Sequence, residues 1–415
     1  MKKKRKKHLM IRLTVLSLFG MLTVAALIFM RFGGFGTGEN TSPEEFAAYA
    51  GRIEDITIPE QAQIIALGEA THGNVEFQQL KLDVFKGMVE NYGVRAFALE
   101  GDYGGCEQVN RYIHGGEGTA QEAVAAIGFA IYRTEEMAQL ISFMRQYNES
   151  AAEGEDLRFY GFDMQRYVYS FRFLMEACKK LGVDTGNLEK LMVGDNWSDE
   201  YDYPARVEMI THIKTELDSK ENSEQAIYLA DMLLQYCEVQ VTADPDLRDR
   251  LMAENTKWIS EQEWESGRER IFVAGHNSHV ARWGSYDSMG KLLANELGEG
   301  YYVIGTDFYK TYCNMPNGSS GRRTNQVFYS HDPLAKAAKV AGMDICWLDF
   351  AKASESPVLA EQIAQYNYLG TLGESYSWFM RLLPPSYRMF QPPAELYDGM
   401  IFVAEANPTT IISEE

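Results

Sequence analysis

A chain of 415 residues, 46% hydrophobic and 24% charged, is long enough to bury a full core and lacks the composition of a disordered polymer. Its formal charge is −20, and the first twelve residues hold seven of the 39 Lys and Arg; the rest of the chain carries 32 basic against 59 acidic side chains, a net −27. That excess argues against nucleic acid and anionic lipid headgroups as partners of the main body. Cys106, Cys178, Cys237, Cys313 and Cys346 are scattered, odd in number and never in a C-x-x-C pair. They form neither a disulfide framework nor a zinc ribbon, and read as buried packing residues.

In chain order, the first element expected is an anchor. Lys2 to Lys7 are all basic and precede an apolar run from Leu13 to Met30. As a helix that run would measure about 27 Å, close to the roughly 30 Å of a bilayer core. Residues 1–30 are therefore expected to form a cytoplasmic tip and a single-pass signal-anchor in the cell membrane, with the catalytic part extracytoplasmic. A cleaved signal peptide is the competing expectation. Residues 31–45, rich in Gly, Thr, Asn and Ser, read as a stalk, and 46–415 as one domain.

Within that domain short apolar runs alternate with helical patterns. Strands are predicted at 62–67, 95–99, 157–162, 270–274, 301–306, 326–329, 345–350 and 400–404. Helical spacing over Val75 to Tyr92 ends at Gly93, and Thr134 opens another helix. A loop is expected over Gly101–Gly105. Residues 166–263 lack strand signals and read as a charged, helical insertion or cap. The expected fold is α/β, a mainly parallel sheet flanked by helices.

The polar residues fall where those strands end. In parallel α/β sheets, ligands bind outside the carboxyl ends of the strands. The first predicted strand ends near Glu69 and His72, the second at Glu100, the third at Asp163, the fourth at His276 and His279, and the fifth at Asp307. Lys81 lies on the helix leaving the first of these. Gly73, beside His72, suggests unusual backbone geometry or a close approach. His114, His212 and His331 are read as bystanders. Trp197, Tyr201, Tyr203 and Tyr236 in the insertion are read first as core, with a substrate-cleft floor as the alternative.

There is no G-x-S-x-G, no phosphate loop, no G-x-G-x-x-G and no H-E-x-x-H. Without an evident nucleophile, a histidine held by a carboxylate suggests general-base activation of water. The same imidazoles and carboxylates could instead hold a divalent metal that acidifies water. A non-catalytic surface protein that binds a ligand in the crevice is the third alternative.

With these residues in view, the sequence resembles the erythromycin esterase family. The resemblance lies in ordered segments: LGEATHGNVEFQQLK (67–81), RAFALEGDYG (95–104), RFYGFDMQ (158–165), FVAGHNSHVAR (272–282), YYVIGTDF (301–308) and YDGMIFVAEANPTT (397–410). It spans about 46 to 411. It implies hydrolysis of a carboxylic ester, the macrolactone of 14-membered macrolides; no cofactor is expected, with a divalent metal as the alternative. It also implies a catalytic histidine at His72, its acid at Glu69, a basic partner at Lys81, an acid at Glu100 and paired histidines at His276 and His279. Asp163 and Asp307 are carried as substrate-binding candidates.

Overall fold

The structure is a computed structural model that describes residues 12, 14–26, 41–284, 286–381, 383 and 386–412. Each predicted strand is present; the central ones, such as Ile64–Glu69, Ala96–Asp102 and Ile271–His276, are buried along their whole length. In chain order the strands are β1 (Ile64–Glu69), β2 (Ala96–Asp102), β3 (Arg158–Asp163), β4 (Met192–Val193), β5 (Asn196–Trp197) and β6 (Ile271–His276). They continue with β7 (Tyr301–Pro316), β8 (Arg323–Tyr329), β9 (Ile345–Asp349), β10 (Asn367–Gly370), β11 (Arg388–Gln391) and β12 (Gly399–Ala406).

Eight of them form one sheet in the order β3-β2-β6-β1-β7-β12-β9, with β8 paired to β7. The pairs from β3 through β12 are parallel, and β9 and β8 join antiparallel. Side chains alternate between two cores. Ile64, Ala66, Ala98 and Val273 enter one; Ile65, Leu67, Phe97, Leu99 and Phe272 enter the other. Burying each of the larger ones (Ile, Leu, Val, Phe) contributes about 1.5–3 kcal/mol.

Helix α1 (Val75–Tyr92) supplies Phe77, Leu80, Val84 and Met88 to the second core, and Gly93 closes it at φ 66°, a left-handed cap that suits glycine. Helix α2 (Tyr103–Ile113) follows β2 with no loop between them: Asp102 accepts the Gly105 N–H at 3.0 Å and caps the helix directly. The loop expected over Gly101–Gly105 is thus a strand-to-helix junction. Helix α3 (Glu135–Asn148) starts at Thr134, whose hydroxyl accepts the Met137 N–H. The 166–263 region holds α4 (Val168–Leu181), α5 (Tyr203–Leu217), α6 (Glu224–Val241) and α7 (Leu247–Glu265), together with the small β4–β5 hairpin that the helical expectation lacked.

The expected membrane anchor is corrected. Among the described residues no helix is long and apolar enough to cross a membrane. Within the expected anchor, the described helical stretch covers residues 14–26. Residues 1–11, 13 and 27–40, which include the basic tip, the flanks of the run and most of the expected stalk, lie outside the described residues. The transmembrane helix, the membrane placement and the bilayer as partner are therefore withdrawn. Within the expected stalk, Pro43–Tyr49 is a helix capped by Ser42, and its Phe46 packs on Phe402 with ring centroids 5.7 Å apart.

Candidate active site

The parallel register sets Glu69 of β1 directly beside His276 of β6. With β2 and β3 on the far side of β6, the carboxyl ends of four adjacent strands bring Glu69, His276, Glu100 and Asp163 to one rim. All four are buried. The turn after β1 carries His72 and is pinned on several sides. Asn74 Nδ2 donates to the Tyr312 and Asn407 carbonyls, each at 2.9 Å, and Thr311 Oγ1 donates to Asn74 Oδ1 at 2.8 Å. Gly73 has no left-handed backbone; a Cβ there would meet the Asn314 carbonyl oxygen at 2.6 Å. Glycine is required by close approach to β7.

Glu69 is the hub of the first cluster. Lys81 Nζ donates to its Oε2 at 2.7 Å, and Gln78 Nε2 to its Oε1 at 3.1 Å. Lys81 also donates to Gln78 Oε1 at 3.0 Å, which closes a triangle. Lys81 is 1% exposed, so its charge is buried beside the carboxylate it pairs with. Gln78 Nε2 also lies 3.3 Å from the His72 carbonyl oxygen. An amide suits this place because it presents an acceptor to the ammonium and a donor to the carboxylate. Burial alone would raise the Glu69 carboxyl, but Lys81 and His72 outweigh it and hold the pKa at about 2.

His72 Nδ1 faces Glu69 Oε2 at 3.3 Å, an ion-pair contact without hydrogen-bond alignment. Its pKa is raised: burial pulls it down, and the charge of Glu69 more than reverses that. The His72 ring lies 5.1 Å from that of His276, centroid to centroid, and 6.4 Å from Tyr132. His276 is held at both nitrogens. Nδ1 accepts the Ser278 N–H at 3.3 Å and sits 2.7 Å from its hydroxyl, while Nε2 lies 3.1 Å from the Leu372 carbonyl oxygen. That pattern assigns the proton to Nε2. Burial and then the neighbouring His72 push the His276 pKa down to about 3, leaving a neutral ring.

Glu100 anchors the second cluster. Its Oε2 accepts the backbone N–H of His276 at 2.7 Å, and its Oε1 accepts from Arg248 Nη2 at 2.9 Å. Arg248 also donates to Asp163 Oδ2 at 2.7 Å. His279 Nε2 lies 3.4 Å from Glu100, and His279 Nδ1 lies 2.8 Å from Asp249 Oδ1. Burial would raise the Glu100 carboxyl, but His279 and Arg248 carry it well below the usual range. His279 is raised: burial opposes the charged ring, and Glu100 and Asp249 overcome it.

The structure therefore brings His72, Glu69, Lys81, Glu100, His276, His279 and Asp163 together in two linked clusters. Asp307 is elsewhere: it accepts from Ser330 Oγ and the Phe308 and Gly370 N–H groups, and contacts none of the other candidates. Trp197 stacks on Tyr167 at 4.6 Å, and Tyr236 packs on the same ring at 4.9 Å. Those two aromatics are packing within the insertion. Gln78, Arg248 and Asp249 were missed from sequence. The only signal was an adjacent Arg-Asp pair opening α7, and it looks like any charged helix start. All five cysteines are buried and free.

Among the described residues, no group of three or more His, Cys, Asp and Glu side chains converges as a metal site. The carboxylates that would serve are already engaged by Lys81 and Arg248.

Comparison with known proteins agrees with this architecture. The family model described as erythromycin esterase matches residues 89–406, more than half of the chain. The match begins downstream of Glu69, His72 and Lys81. The YbfO protein of Bacillus subtilis (strain 168) is 22% identical over 405 residues, covering 84% of this chain and 85% of that protein. An Escherichia coli protein named erythromycin esterase type II is 23% identical over 297 residues, covering 60% and 69%. A Bacillus cereus crystal structure superposes with a TM-score of 0.73 at 20% identity, over 89% of this chain and 98% of that one. A mutant of the erythromycin esterase EreC in an open conformation gives 0.59 at 16%, over 86% and 93%. At these identities the structures speak to the fold.

Proposed function

Since the chain belongs to the erythromycin esterase family, which implies a hydrolase of a small molecule, we propose that it hydrolyses a carboxylic ester by histidine general-base catalysis. A macrolide-type lactone is the substrate class suggested by the name of the E. coli relative. The observation that carries the mechanism is the asymmetry of His72. Nδ1 faces Glu69 Oε2 at 3.3 Å, which turns Nε2, on the opposite side of the ring, away from that carboxylate. The nitrogen turned away from its carboxylate is the one able to take a proton from water.

In this reading His72 Nε2 removes a proton as the water oxygen attacks the ester carbon. Glu69 holds the tautomer and stabilises the imidazolium. The neutral His276 donates its Nε2–H to the carbonyl oxygen as negative charge develops there, exchanging the Leu372 carbonyl for the substrate. Collapse breaks the carbon–oxygen bond, and the leaving alkoxide takes the proton from His72. The products are an acid and an alcohol, or a ring-opened hydroxy acid from a lactone. Lys81 stays with Glu69 as its counter-charge.

Incubation of the full chain with 14-membered macrolides and simpler lactones, read by mass spectrometry, should show a gain of one water. His72→Ala should lower turnover about 10²–10⁴-fold with the fold intact by circular dichroism. Near-normal hydrolysis in that variant would overturn the assignment.

A further inference from the structure

The helical insertion makes a contribution to the rim that its sequence did not announce. We propose that Arg248 and Asp249, consecutive residues in the first turn of α7, are positioning residues of the active site. They hold Glu100 and His279 in a fixed chain of alternating charge that aims Glu100 at the backbone N–H of His276. The proposal rests on the reading of His72 and His276 as the reacting pair, and assigns the insertion a part in it.

The geometry is that of a clamp. Asp249 Oδ1 lies 2.8 Å from His279 Nδ1, and the other face of that ring meets Glu100 Oε1 at 3.4 Å and Arg248 Nη1 at 3.3 Å. Arg248 bridges Glu100 and Asp163 through Nη2 at 2.9 and 2.7 Å, with Nε 3.2 Å from Asp163 Oδ1. Glu100 is then left with Oε2 for His276, at 2.7 Å. Asp249 is itself fixed, because its Oδ1 also accepts the Met289 N–H at 2.9 Å.

A planar guanidinium is suited to hold two carboxylates at once, which a lysine could not do with the same geometry. Glu100, Asp163 and Asp249 are each under 9% exposed, so their charges are weakly screened and the chain is stiff. The charged and titratable groups facing His279 are Asp249 and Arg248 from α7, Glu100 from β2, and His276 with rings 6.3 Å apart. Tyr286, whose hydroxyl donates to the Ser278 carbonyl at 3.3 Å, lies nearby.

Signs separate this role from a merely structural one. Asp249 favours the His279 imidazolium and Arg248 opposes it. In the full chain with isotope-labelled histidine, His279 is identified by the resonance missing from His279→Gln, and its titration is followed by NMR. Asp249→Asn should move that titration to lower pH by about one pH unit or more, and Arg248→Met should move it to higher pH. Loosening of the fold alone would move both variants down, toward an ordinary histidine. A downward or absent shift in Arg248→Met therefore overturns the proposal, even should Asp249→Asn fail to fold.

Ester hydrolysis is assayed separately, with kcat expected to fall in both variants and KM to change little. A wild-type chain that cleaves no ester would refute the functional reading and leave the titration result standing.

Discussion

Two groups of buried carboxylates on the same sheet behave in opposite ways. Glu69 and Glu100, at the ends of β1 and β2, are 2% and 8% exposed and each holds a cation: Lys81 in one case, Arg248 in the other. Both stay ionised, Glu69 with a pKa of about 2. Asp307 in β7 and Asp332 beyond β8 are fully buried and have only neutral donors among their hydrogen bonds: Ser330 and backbone N–H groups. Desolvation pushes Asp307 far up and Asp332 to about 7. Burial imposes a cost on every buried carboxylate; the presence of a cation decides whether it is met by pairing or by protonation.

The largest expected effect comes from removing a cation. Lys81→Met leaves Glu69 buried and unpaired, and should cost about 3–5 kcal/mol of stability in urea denaturation at neutral pH, together with the loss of turnover. Unchanged stability would show that the Glu69–Lys81 pair is not what holds this end of β1.

A second effect concerns the base. His72 must be neutral to accept a proton, and its pKa is raised above the ordinary 6.5. The acid limb of the kcat/KM profile should therefore lie above pH 6.5, and Glu69→Gln should bring it down. A limb that stays in place in that variant would separate Glu69 from the titrating group.

The smallest effect belongs to the other group. A carboxyl raised from 3.8 to about 7 contributes stability at low pH that is lost as pH climbs through that interval. Glu69 works the other way: its stabilisation is present above about pH 4.5 and lost as pH falls toward 2. Asp332→Asn keeps an oxygen for the Leu334 N–H and should gain stability over the wild type at pH 8, with the gain vanishing near pH 4. Denaturation at the two pH values checks it.

Much of the architecture was legible because it follows from local pattern. β1, β2, β3 and β6 are short apolar runs between polar breaks, and α1 ends at a glycine whose left-handed geometry punctuates helices. Glu69, His72 and Lys81 were legible because a strand end, its turn and the following helix lie close in sequence. Gln78 was overlooked in that same helix because nothing in its spacing distinguishes it from its half-buried neighbour Gln79. Arg248 was out of reach for another reason: 148 positions separate it from Glu100. Asp307 stands apart from the two clusters because β7 runs on to Pro316, which places Asp307 inside the strand, opposite Phe402 of β12, rather than at its end.

The N-terminal run shows the limit of counting: eighteen residues of suitable composition did not yield a described helix able to span a bilayer. What the sequence alone determined was the order of strands and helices, the family resemblance, and the presence of a histidine beside a glutamate where a strand ends. Hydrophobic period and turn chemistry are properties of neighbouring residues, so they can be read along the chain. Tertiary structure decided which nitrogen of His72 faces Glu69, that burial drives the His276 pKa down while Glu100 and Asp249 drive that of His279 up, and that an arginine from the insertion reaches the rim. Those outcomes depend on desolvation and on charges brought together from distant segments, and neither exists until the sheet has assembled.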